Sequence, residues 1–257
     1  MAIEKNILFI HGTWGHGPET WAEMAPEMEQ RGFVVHTPTL RHHGLPLLEG
    51  SIKIATTSLL DYVEDLTRYA NNLNGQLLIF GVSMGGLLAQ LVAARTRHIG
   101  VALFAPAPAW GMFNLYPGMI RIFMHHFLQW GFWRKPLFPE WSTFRWGVVN
   151  EQPEDKAFEF FKSSCTESGK AYTEMAFWWA DPRRASHVDV GAIDSPVIVF
   201  GGGRDRVVHP RISRVTAQRY KRGKYIHLPQ SDHMMILGHE LPNTLNHLDA
   251  WLKENNL

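Results

Sequence analysis

Apolar residues along this chain fall into two alternating rhythms. Short, nearly unbroken apolar runs occur at residues 7–10, 33–36, 77–80, 99–104, 197–200 and 225–228, the pattern of strands covered on both faces, as in a parallel sheet. Longer amphipathic stretches separate most of them, at 18–30, 55–71, 83–95, 210–220 and 241–254, and predict helices. Strand and helix in alternation predict an α/β fold, with a mostly parallel sheet of about six strands wrapped by helices on both faces. Such sheets bind ligands beyond the carboxyl ends of their strands, so chemistry is expected just after each apolar run.

The rhythm breaks once. Between Ala105 and Asp194 there is no clear strand, and the composition turns aromatic, with seven of the ten tryptophans and ten of the fifteen phenylalanines. A stretch that long is not an unstructured loop in a compact protein. It is predicted to be an inserted, mostly helical cap over residues 107–192, with the sheet domain formed by 1–106 and 193–257. Because the insertion leaves directly from a strand end, it is expected to act as a lid over the site. Ile120, Phe123, Met124, Phe127, Leu128 and the aromatic run at 130–133 fit several uses alike: packing on the sheet, lining an acyl pocket, or meeting a partner chain or a lipid surface.

Composition narrows the partners. With 45% apolar and 19% charged residues, the 257-residue chain can bury a sizeable core. A net charge of +1 provides no concentrated basic face for nucleic acid, and a small molecule is the expected partner. Cys165 is the single cysteine, so no intramolecular disulfide forms; no apolar leader precedes the first run, and the expected compartment is the cytoplasm.

The candidate chemistry starts at Gly81-Val82-Ser83-Met84-Gly85, a G-x-S-x-G pattern between an apolar run and a helix rich in small residues. That junction forces the serine into a strained turn and lifts its hydroxyl above the sheet edge. Gly81 and Gly85, two residues to either side of Ser83, and Gly86 after them, are expected to let the strand and the departing helix approach. A serine needs a base, and the base needs a third group to set its tautomer. Asp205 follows the apolar run 197–200 through a glycine-rich turn and is the expected acid; Asp194, at the wrong end of that strand, and Asp181, within the cap, are weaker candidates. His233 follows the last run and is the expected base. Two backbone N–H groups must also hold the oxyanion, and those of Met84 and of Thr13, in the turn His11-Gly12-Thr13-Trp14-Gly15, are best placed. Trp14 is expected to line the substrate pocket beside that turn.

These segments resemble the α/β-hydrolase superfamily, and within it the capped serine esterase/lipase group that includes monoacylglycerol-lipase-like proteins. His11-Gly12-Thr13 looks like its oxyanion segment, and Gly81–Gly86 like its nucleophile elbow. The stretches 201–210 and 231–235 resemble its acid and histidine loops. Pro38-Thr39-Leu40-Arg41-His42-His43-Gly44 is similar to its P-x-L-R-G-H-G loop, except that His42 stands where glycine is usual. The resemblance covers the chain outside the cap and implies a serine hydrolase acting on carboxylic esters of apolar acyl or aryl groups. Thioester and carbon–carbon hydrolysis, acyl transfer and cofactor-free perhydrolysis use the same triad, and a non-enzymatic binder would keep the same pocket. Haloalkane dehalogenases and epoxide hydrolases instead carry aspartate at the position of Ser83.

No cofactor or metal is expected. The pairs His42-His43 and His125-His126 lack zinc-motif spacing, and Gly201-Gly202-Gly203 lacks the lysine and hydroxyl residue of a phosphate-binding loop. His239 and Glu240 read as residues at a helix start, and Cys165 as incidental, sitting among polar residues away from the catalytic motifs.

Overall fold

A computed structural model of the protein describes residues 4–257. The apolar runs form six strands: β1 (Lys5–Ile10), β2 (Val34–His36), β3 (Gln76–Val82), β4 (Gly100–Phe104), β5 (Val197–Gly202) and β6 (Gly223–Leu228). All neighbours are parallel, in the order β2-β1-β3-β4-β5-β6. The register places Leu8 beside Ile79, Phe80 beside Ala102 and Phe104 beside Phe200. β1, β3, β4 and β5 are buried almost throughout, whereas the edge strands β2 and β6 are partly exposed. Their interior is aromatic: Phe9 meets Trp21 and Phe80, and Phe104 stacks on Phe200 at 5.1 Å.

The order reverses direction between β1 and β3, and a crevice opens at such a switch point. The helix Met84–Ala93 leaves β3 there and is buried along its whole length. The helix Leu241–Glu254 turns Leu245, Leu248, Trp251 and Leu252 inward, at the spacing of one apolar stripe.

Several helix boundaries differ from the sequence expectation. The helix expected at 18–30 is two pieces, Gly17–Thr20 and Met24–Gln30, because Pro26 has no N–H to give to Ala22 and its ring would crowd that carbonyl; proline is tolerated only where a helix begins. The one expected at 55–71 starts at Leu59, where Ser58 and Asp61 form a reciprocal capping box. A separate helix, Leu47–Ile54, precedes it. In the inserted region, where no strand was expected, two-residue strands Pro136–Leu137 and Glu167–Ser168 pair antiparallel; pieces that short carry no periodicity.

The inserted region is otherwise helical, with Pro117–Phe127, Trp141–Gly147, Glu154–Lys162 and Gly169–Ala176 as its longer helices. It is seated on the sheet domain through buried carboxylates. Glu167 accepts the Tyr62 hydroxyl at 2.9 Å and lies 3.2 Å from His43 Nε2. Glu174 accepts from Ser58 Oγ and from Leu59 N–H, each at 2.8 Å, and burial pushes its carboxyl above the usual range. A buried carboxylate left without such donors would be strongly destabilising, so these contacts hold the inserted region in one place.

Among the described residues, no helix is long and apolar enough to cross a membrane.

Candidate active site

The turn after β3 is strained where the motif requires it. Ser83 has φ 57° and ψ −124°, a conformation that costs a non-glycine residue on the order of 1–3 kcal/mol. Backbone bonds on both sides hold it there: Ser83 N–H donates to Phe104 O at 2.9 Å, and Ser83 O accepts from Ala107 N at 2.8 Å. A Cβ on Gly81 would lie 2.2 Å from Gly85 O, so these two glycines let strand and helix approach as expected. Gly85 has a second neighbour that the motif did not announce. A Cβ there would sit 2.1 Å from Ile10 O and 2.3 Å from His11 O, so the helix also abuts the end of β1.

The turn after β1 comes against the elbow. A Cβ on Gly12 would lie 2.9 Å from Ser83 Cβ, so only glycine brings the two turns together. His11 organises this turn. Leu40 N–H donates to His11 Nε2 at 2.9 Å, which leaves the proton on Nδ1, 3.0 Å from Gly12 O; burial, and then the neighbouring His43, depress the His11 pKa and keep the ring neutral. Gly12 O also accepts from Gly15 N at 3.1 Å. In a trans peptide the N–H opposes the C=O. Two donors on Gly12 O therefore turn the Thr13 N–H the other way, and among the described residues neither that group nor the Met84 N–H donates to a protein acceptor.

Asp205 and His233 meet across the ends of β5 and β6. His233 Nδ1 lies 2.8 Å from Asp205 Oδ2, and the carboxylate is fixed by Val207 N–H at 2.8 Å and Val208 N–H at 2.9 Å on Oδ1. Both side chains are almost fully buried. Two of the three glycines before Asp205 serve this approach: Cβ atoms on Gly202 and Gly203 would lie 2.4 Å from Asp232 O and 2.5 Å from Pro229 O. Asp232, not singled out by sequence, braces the histidine loop. Its carboxylate accepts from Met234 N at 2.9 Å and from Glu151 N of the inserted region at 3.0 Å, and burial pushes its pKa upward. Asp194 and Asp181 stand elsewhere, the first beside Lys221 and the second capping the turn at Arg183 and Ala185.

Ser83, His233, Thr13 and Trp14 all line one cavity. Its empty volume is about 900 Å³, part of it open to solvent, and Met119, Phe123, Phe144 and Met175 make most of its roof apolar. Ser83 and His233 both line this shared space; among the described residues, the one side-chain hydrogen bond of His233 is that to Asp205. Trp14 takes a left-handed φ of 66°, stacks on Phe123 at 5.0 Å and donates from Nε1 to Leu137 O at 2.9 Å. It therefore joins the turn after β1 to the inserted region as well as lining the cavity.

One sequence reading changes here. Cys165 is not remote from the catalytic motifs: its N–H donates to Trp14 O at 2.9 Å and its thiol lies 3.4 Å from Gly15 O. Only folding brings position 165 to that turn. Burial pushes its pKa up, which suppresses thiolate chemistry. His42 adopts φ 71°, the left-handed conformation that glycine enters at least cost. His239 and Glu240 lie in a short 3-10 turn, Gly238–Glu240, that leads into the helix Leu241–Glu254. Among the described residues, no group of three or more histidine, cysteine or acidic side chains is gathered as a metal site.

Comparison with known proteins places the arrangement. No curated protein matches the sequence. The structure is similar to a methylesterase from Arabidopsis, with a TM-score of 0.71 and 14% identity over 95% of this chain and 98% of that one. It is also similar to a hydrolase from Oleispira antarctica, at 0.69 and 19% over 96% and 91%, and to a pyrethroid hydrolase from Sphingobium faniae, at 0.68 and 17% over 98% of each chain. Likenesses at such identities show a shared fold. The model of the family described as "Alpha/beta hydrolase family" matches residues 7–242, a span that holds the Ser83 turn, Asp205, His233, five of the six strands and most of β1, and this chain belongs to the alpha/beta hydrolase family.

Proposed function

We propose that the chain is a serine hydrolase of carboxylic esters with apolar acyl or aryl groups, within the capped esterase/lipase part of its family. The observation that carries this reading is that a strained Ser83, the His233 held by Asp205 and the unbonded Thr13 N–H line one apolar cavity, with the unbonded Met84 N–H next in the chain to Ser83. Asp205 holds the proton on His233 Nδ1, which leaves Nε2 as the base. Ser83 Oγ attacks the ester carbonyl while Nε2 takes its proton, and the Thr13 and Met84 N–H groups receive the oxyanion. Collapse of the tetrahedral intermediate breaks the bond to the alkoxy oxygen, which leaves with the proton from His233. Water then enters, gives its proton to Nε2, and releases the acid from Ser83. Trp14 and the inserted aromatic region shield the acyl-enzyme and line the acyl pocket. That solved neighbours are described as a methylesterase and as a pyrethroid hydrolase agrees with an ester substrate.

The test is turnover of p-nitrophenyl esters from acetate to palmitate by the wild-type chain and by Ser83→Ala, with folding checked by circular dichroism. Turnover that depends on Ser83 is expected, and its chain-length optimum measures the pocket. Ester turnover retained by Ser83→Ala would remove Ser83 from the mechanism. A folded protein inactive on every ester would transfer the same residues to thioester or carbon–carbon substrates, or to ligand binding alone.

A further inference from the structure

The roof of the cavity holds two polar side chains that an apolar acyl pocket does not need. Asn114 is 4% exposed, and its Nδ2 donates to Ala176 O at 2.7 Å and to Met175 O at 3.3 Å. Those carbonyls decide which way the amide faces, because an oxygen in the place of Nδ2 would oppose both. Oδ1 is therefore turned away from them, and among the described residues it accepts no hydrogen bond. Tyr172 stands one turn before Ala176 on the helix Gly169–Ala176. It is 2% exposed, and its ring is packed against Phe123 at a centroid distance of 4.0 Å.

The Tyr172 hydroxyl also lacks a protein partner among the described residues. Tyr62 and Tyr220, which are buried too, bond to Glu167 and Gln90. Both Asn114 and Tyr172 line the cavity, and neither free polar atom is among the buried ones sealed from any solvent-sized space. Burial keeps the Tyr172 phenol protonated, its pKa well above the ordinary value. A buried polar atom without a partner costs stability, and phenylalanine would fill the place of Tyr172 without that cost.

We propose that Asn114 Oδ1 and the Tyr172 hydroxyl form a polar subsite for a hydroxyl group carried on the otherwise apolar part of the substrate. The preferred substrates are then esters of hydroxylated acyl or aryl groups, an assignment that rests on the ester-hydrolase reading above. The donor inventory selects this chemistry. Oδ1 only accepts, so the ligand must donate to it; the phenol both donates and accepts, so a group that also does both can pair with the two atoms together. A hydroxyl does both in one atom. A carbonyl would leave Oδ1 unpaired, and a carboxylate would face Oδ1 with no lysine or arginine in the lining to balance it.

The experiment compares methyl ω-hydroxyalkanoates of about four to twelve carbons with methyl alkanoates of equal length, and methyl 4-hydroxyphenylacetate with methyl phenylacetate. Wild-type and Tyr172→Phe chains are assayed for kcat/KM on every pair. At least one hydroxylated ester is expected to exceed its partner by about tenfold or more in the wild type, and Tyr172→Phe is expected to cut that ratio about tenfold. Preference for the unhydroxylated ester in every pair, or a ratio unchanged by Tyr172→Phe, overturns the proposal. Affinities for the same esters, measured by calorimetry on Ser83→Ala with and without Tyr172→Phe, need no turnover. They decide the subsite on the same criterion even if no ester is hydrolysed, an outcome that would sink the ester-hydrolase reading alone.

Discussion

Gly85→Ala tests whether the elbow is built against β1 as well as against its own strand. The added methyl would lie 2.1 Å from Ile10 O and 2.3 Å from His11 O. Backbone carbonyls cannot rotate away as a side chain can, so the helix Met84–Ala93 must withdraw by about 1 Å to reach the edge of tolerable contact. That displacement would separate Ser83 from the Thr13 turn, since Gly12 lies directly against Ser83. Misplacement of about 1 Å costs a reaction roughly 100-fold, and overpacking a buried junction costs about 1–3 kcal/mol. In a domain of this size each kcal/mol lowers the melting temperature by roughly 2–4 °C. The assay is kcat/KM on the best p-nitrophenyl ester together with thermal unfolding. Gly44→Ala is the control: a Cβ there meets only Thr39 Cγ2 at 3.6 Å, ordinary contact, and should leave both readouts near wild type. A Gly85→Ala chain with unchanged kcat/KM and unchanged melting would refute the reasoning, because it would mean that the approach of the helix to β1 places neither the serine nor the fold.

Asp205→Asn keeps the size of the acid but presents an amide to His233 Nδ1, which favours the wrong ring tautomer; kcat/KM is expected to fall by about 10³- to 10⁴-fold, and a loss below tenfold would show that Asp205 does not set the tautomer. His126 provides a pH test. Its Nε2 lies 3.1 Å from Phe138 O, and burial, with the adjacent His125, lowers its pKa from 6.5 to about 4. The unfolded chain therefore takes up this proton first, so the stability of the neutral ring is present above pH 6.5 and is lost as pH falls toward 4. In urea unfolding, the stability gap between wild type and His126→Gln should narrow by about 2 kcal/mol from pH 7 to pH 5; a gap independent of pH would contradict the burial assigned to the ring.

Much of the fold and of the candidate site is legible along the chain because the signals are local. A buried parallel strand needs an unbroken apolar run, and β1, β3, β4 and β5 carry one. An elbow needs small residues on both sides of Ser83 to relieve backbone contacts that any side chain would create. Chain order alone also placed Asp205 and His233 after successive strands, and parallel pairing then brings the strand ends side by side. What tertiary structure decided depends on partners far apart in sequence. Glu167 and Glu174 look like ordinary surface acids until folding sets them against Tyr62, His43 and Ser58. Cys165 gains its place only by reaching Trp14 and Gly15 across about 150 residues. Asn114 and Tyr172 are two unremarkable polar residues of an aromatic stretch, and which of their atoms remain unpaired depends on where two helix-end carbonyls and one cavity lie. Periodicity and motif report what a segment does to its own backbone; long-range hydrogen bonds and the atoms left without them exist only once distant segments share a wall.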